Sequence, residues 1–220
     1  MDDAADGDPV LTVGAVRRAL SRRGSFRRGK DSARAVELGA RWDAAWHVPP
    51  LGHLLRQRHE DRWFRVWSLP DGKRYADTAD EHAEVLRRHR TVLEALLPPG
   101  GSATVIAADF GAEDIESGWT RSALPDRWPW RRSDDHWGLD EDDDVRRYLW
   151  VQDMPSVDAL TELLVAAADD RAQFVATGPD ATWVYCPYDG GADVIVADSS
   201  MRDRLAARFR SWAPSTAQGL

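Results

Sequence analysis

Two carboxylates, Asp189 and Asp193, stand four residues apart around the pair Gly190-Gly191, with Tyr188 beside the first. Neighbouring carboxylates can divide the acid and base roles of a proton-transfer reaction. Aspartate before glycine also has a conformational use, because Asp-Gly and Gly-Gly supply the positive φ of a tight hairpin. Both readings stay open. A second candidate is Lys73-Arg74-Tyr75, directly after the turn Pro70-Asp71-Gly72. Two cations and a phenol there can grip an anion, although an exposed turn of ordinary surface charge needs no ligand. If the two turns share an edge, Arg74 and Asp189 form either part of a ligand pocket or a structural ion pair. The third candidate is aromatic. Trp128, Trp130 and Trp137 stand in a polar, charged stretch, and tryptophan is enriched at binding hot spots. They read as partner contacts, or as staples that fold a loop back on the body.

Other chemistries are excluded or weak. The single cysteine, Cys186, rules out an intramolecular disulfide and any cysteine-clustered metal site. It sits in an apolar strand, where a small buried residue is the ordinary reading, because a reactive thiol wants an exposed, electropositive setting. Among the histidines, His82 and His89 are seven apart on one helix, about 10 Å, too far for one ion. Asp140, Asp142 and Asp144 have the spacing that opens a calcium loop, but Val145 and Val151 occupy the positions that need glycine and glutamate. No metal is expected. The glycine patterns of nucleotide-binding loops and the nucleophile elbow are absent, so no cofactor is expected either.

The charge is segregated. The 220 residues carry 29 basic and 37 acidic side chains, net −8. Residues 16–34 hold eight basic side chains against Asp31, and residues 1–15 hold four aspartates, which leaves −11 over 35–220. The basic stretch could bind a polyanion or lie as a solvated helix or tail. It has little aromatic interleaving, and the acidic whole opposes non-specific DNA binding, so nucleic acid is not an expected partner. A basic protein is. No apolar run is long enough to span a membrane. The acidic start lacks the basic and apolar parts of a secretory signal, and cytoplasmic location is expected. Twenty-seven of the basic residues are arginine, which points to a GC-rich bacterial genome.

The elements that must position these groups follow from periodicity and punctuation. Helices are expected over 12–23, over 31–46 with Asp31 or Ser32 as cap, briefly over Leu51–Gln57, and over Ala79–Leu97. Thr78 and Glu81 form a capping box for the last of these. Arg62–Leu69 and Thr104–Ala108 read as strands, 110–144 as loop, Tyr148–Gln152 as a strand and Ser156–Asp170 as a helix. Gln173–Thr177, Thr182–Cys186 and Ala192–Val196 read as strands, the last two joined as a hairpin, and Ser199–Trp212 as the final helix. This order predicts an α+β fold: a mixed or antiparallel sheet with packed helices, and a C-terminal β-hairpin followed by a helix. The expected organisation is a charged N-terminal extension over 1–34, helical or disordered, then one domain over 35–220. An acidic, tryptophan-rich loop is expected at about 111–147.

Asp61–Leu96, with Ser-Leu-Pro-x-x-Lys-Arg-Tyr at Ser68–Tyr75, and the C-terminal stretch with Pro-Tyr-Asp-Gly-Gly-x-Asp-Val at Pro187–Val194 carry a resemblance. They resemble a family of uncharacterised bacterial proteins, a domain of unknown function common in GC-rich bacteria. The similarity covers about 42–110 and 150–220 and implies no activity, cofactor or catalytic residue. The expected function is therefore a protein-interaction domain with an acidic docking surface, immunity-like or regulatory. The alternative is an enzyme or small-ligand binder with a dispersed site at the 73–75 and 188–193 turns.

Overall fold

Three helices start where a side chain can satisfy an otherwise unbonded amide. The Ser32 hydroxyl accepts from the Ala35 amide and opens α1, Ala33–Ala45. Thr78 does the same for Glu81 and opens α3, Ala79–Leu96. Asp198 accepts from Met201 and opens α6, Ser199–Arg208. The others are α2, Gly52–Arg58, α4, Gly118–Ala123, and α5, Thr161–Ala168. The computed structural model describes residues 32–111, 118–132 and 146–214. The helix expected over 12–23, nearly all of the basic segment, the acidic run Asp134–Asp144 and Trp137 lie outside them.

Seven strands form one open sheet: β1 Trp63–Trp67, β2 Ala103–Gly111, β3 Trp128–Arg132, β4 Arg146–Met154, β5 Phe174–Thr177, β6 Trp183–Tyr188 and β7 Gly191–Val196. Their order is β1-β7-β6-β5-β2-β4-β3. Every neighbouring pair is antiparallel, which resolves the choice between a mixed and an antiparallel sheet within an α+β fold. β2 outgrows its expected apolar run because backbone pairing with β4 continues from Ala103↔Met154 to Gly111↔Arg146. The helix expected at Ser156 instead begins as a 3-10 turn, Asp158–Leu160, before α5.

The sheet is covered on both faces, so its central strands read as nearly continuous apolar runs. Alternate residues serve two cores. Val105, Phe174, Tyr185 and Val194 pack under α3, α5 and α6. Ile106, Val175, Val184 and Ile195 face the opposite side, with Trp42 of α1 and Leu55 of α2.

The stretch expected to be an acidic loop is partly structured. It contains α4 and the edge strand β3, which pairs with β4 around an irregularity after Pro129, where a proline is tolerated. Trp128 and Trp130 are therefore not exposed partner contacts. They are 5% and 0% exposed, and Trp130 donates its indole N–H to the Ala35 carbonyl at 3.1 Å. Its ring meets Trp42 edge-on at 5.9 Å. Arg131 ends on Asp43 at 2.7 and 2.8 Å, and the Arg34 guanidinium lies over Trp128. Part of the polarity that suggested a loop is that of Arg131, whose partner Asp43 lies on α1.

Candidate functional site

The β6–β7 hairpin carries the C-terminal candidates. Tyr188 pairs with Gly191 across a two-residue connection, Asp189-Gly190. The expected positive φ is not used there: the left-handed glycines among the described residues are Gly72 and Gly100. The Gly-Gly pair answers to crowding instead. A Cβ on Gly191 would lie 2.1 Å from the Val66 carbonyl oxygen of β1. The Gly190 carbonyl accepts from the Ser68 amide at 3.0 Å, tying the turn to the end of β1. Positive φ appears in the other turn, at Asp71 and Gly72.

The two turns meet. The Arg74 guanidinium and the Tyr75 hydroxyl both donate to Oδ2 of Asp189, the latter at 2.7 Å. These bonds raise the pKa of Arg74 and of Tyr75. Lys73 donates to Glu81 at 2.6 Å and lies 2.8 Å from Asp77, so it fastens the same turn to the start of α3. Glu81 accepts from the Asp77 amide as well, a capping box shifted by one residue. Lys73, Arg74, Tyr75 and Asp189 thus form a clasp between the 70–75 turn, the hairpin and α3.

Asp193 is in a different place. It is the cross-strand partner of Arg65 on β1 and of Cys186 on β6. Arg65 reaches it at two points, 2.8 Å and 3.2 Å, and Trp63 donates its indole N–H at 2.9 Å. Arg56, one turn along α2, lies 3.6 Å away and is 35% exposed. Burial opposes the charge on Arg65, but the hydrogen bond and the charge of Asp193 together outweigh it, so the pKa is raised.

This cluster forms one end of a cleft of about 370 Å3 on the α2 side of the sheet. Its polar end holds His53, Arg56, Arg65, Asp193 and Tyr188, and Ile106, Ala108 and Val175 supply an apolar wall. Gly52 lets α2 sit down on β6, since a Cβ there would stand 3.2 Å from that of Cys186. The Tyr188 hydroxyl is buried with no hydrogen-bond partner among the described residues. Burial, then the Asp193 charge, pushes its pKa up, so it stays a donor. Burial and Asp193 likewise push up the Cys186 thiol, which opposes nucleophilic chemistry.

Of the sequence candidates, Tyr188 and Asp193 line this cleft. Arg74, Tyr75 and Asp189 belong to the clasp, and Trp128 and Trp130 to the core. The two carboxylates are not an acid–base pair, because each is held by its own arginine. Sequence reasoning missed Arg56, Arg65 and His53. A signal for Arg65 existed: Arg65 and Asp193 are opposite charges, each alone inside an apolar strand, and a buried charge must be paired.

Two other places bear on function. His89 bridges the Ser68 hydroxyl at 2.9 Å and the Tyr185 hydroxyl at 2.5 Å. All three residues are buried, and burial lowers His89 to about 4, so this serine–histidine pair is closed to substrate. A hollow of about 420 Å3 between β1 and α6 includes Phe64, Arg202 and Phe209. None of the sequence candidates lines it. Among the described residues no group of three His, Cys, Asp or Glu side chains could hold a metal ion, and no helix is long and apolar enough to cross a membrane.

Fold and site define an α+β domain with an open antiparallel sheet and a cleft sunk into one face. The chain belongs to the family described as a domain of unknown function, DUF3885, which it matches over residues 51–216. That range runs through 111–149, which the sequence resemblance had left outside. No curated protein and no solved structure matches the chain.

Proposed function

We propose that this domain binds a small molecule in the cleft beside α2. The observation that carries the reading is that Arg56 and Arg65 line the same hollow as the apolar side chains of Ile106, Ala108 and Val175. A few placed polar groups in a mainly apolar concavity are the general form of a ligand site. The reading is binding rather than catalysis, because Asp193 is committed to Arg65 and Trp63 and the Cys186 thiol is held protonated. Thermal-shift screening of a chemically varied metabolite library, on the native chain and on Ala108→Phe, tests it. The expected result is a set of stabilising compounds that lose their effect when the new ring fills the cleft. Stabilisation that survives the filled cleft overturns the reading.

A second reading, docking of a basic protein partner, has the net charge of −11 over 35–220 as its support. Complementary charge favours encounter and partner choice. Affinity purification at low and high salt tests it: a partner released by salt supports docking, and none at either salt removes it.

A further inference from the structure

Resting on the small-ligand reading, we infer that the cleft takes an amphipathic monocarboxylate, its carboxylate at Arg56 and its apolar body on Ile106, Ala108 and Val175. The charge balance sets the sign. Asp193 is satisfied by Arg65 at two points and by the Trp63 indole. Arg56 stands 3.6 Å from the same carboxylate, beyond good hydrogen-bonding distance, and is one-third exposed. The polar end therefore holds two cations against one anion, and the cation in excess is the one nearer solvent.

The donors set the chemistry. A guanidinium presents a planar fork that matches a carboxylate. A dianionic phosphate fits less well, because one excess cation cannot balance it and Asp193 stands alongside. The apolar wall sets the rest. A polar tip in a hollow of about 370 Å3, at the small end of ligand clefts, takes a compact hydrocarbon or aryl body.

The test is a panel of aliphatic and aryl monocarboxylates of about four to ten carbons, each paired with its uncharged amide. They are titrated into the full chain by calorimetry. Acids are expected to bind at least about tenfold more tightly than their amides, a difference typical of one charge-assisted hydrogen bond. Arg56→Gln should abolish that preference, bringing each acid to the affinity of its amide. Equal binding of acid and amide, lost in Ala108→Phe, overturns the carboxylate assignment and leaves the small-ligand reading intact. Binding that survives Ala108→Phe overturns both. No binding by any acid overturns the carboxylate assignment, and the library screen then decides the cleft separately.

Discussion

Arg65 and Asp193 face each other on adjacent antiparallel strands, Nε to Oδ1 at 2.8 Å, with side chains only 9% and 7% exposed. An ion pair this deep is costly to form and more costly to break from one side, because the survivor is left charged in an apolar setting. It also anchors β1, an edge strand, to the hairpin that lines the cleft.

Removing one partner of that pair should therefore destabilise strongly. Asp193→Ala is expected to lower unfolding stability by about 3 kcal/mol or more in urea titration. Arg65→Met combined with Asp193→Leu should cost less than either single change. A strictly additive double variant would mean that the pair is not coupled.

The two hairpin glycines should differ although they are neighbours. Gly191→Ala drives a methyl into the Val66 carbonyl and is expected to cost about 3 kcal/mol or to block folding, through overpacking at the top of its usual range. An alanine at Gly190 meets its nearest atom at 3.4 Å, an ordinary contact, without a left-handed φ. That change is expected to stay within about 1 kcal/mol. Equal costs would restore the conformational explanation of the Gly-Gly pair.

Trp130 separates a core role from a docking role. Trp130→Ala is expected to cost about 3–5 kcal/mol, since it empties a fully buried aromatic site. A loss under about 1 kcal/mol by denaturant titration would return the residue to the surface.

Stability should fall in mild acid because of His89. Its folded pKa is about 4 against 6.5 for a free side chain, with burial as the cause. The unfolded chain therefore takes up the proton first. The stabilisation is complete above pH 6.5 and disappears as pH falls through that value towards 4, a loss of about 3 kcal/mol. His59, lowered chiefly by burial, adds a slope of the same sign. Glu84, held near 2 mainly by its hydrogen bond to Arg87, acts in a separate window, losing its contribution between 4.5 and 2. Denaturant titrations from pH 7 to pH 4 should show the first slope, and His89→Gln should remove most of it. An unchanged slope in that variant would assign it to other groups.

What the sequence alone determined is what nearby residues control. Ser32 and Thr78 mark helix starts because a cap and its amide are three residues apart. β5, β6 and β7 show as apolar runs because burial on both faces demands it, and the closeness of β6 to β7 makes their hairpin legible. Their order with the helices is enough for an α+β class. Only the tertiary structure decided that Trp128 and Trp130 lie under α1, or that Asp189 goes to Arg74 while Asp193 goes to Arg65. Those partners stand 115 and 128 residues away, and a contact at that separation leaves no pattern in either stretch of chain. The cleft is legible least of all, since its lining comes from α2 and five strands that become neighbours only when the sheet assembles.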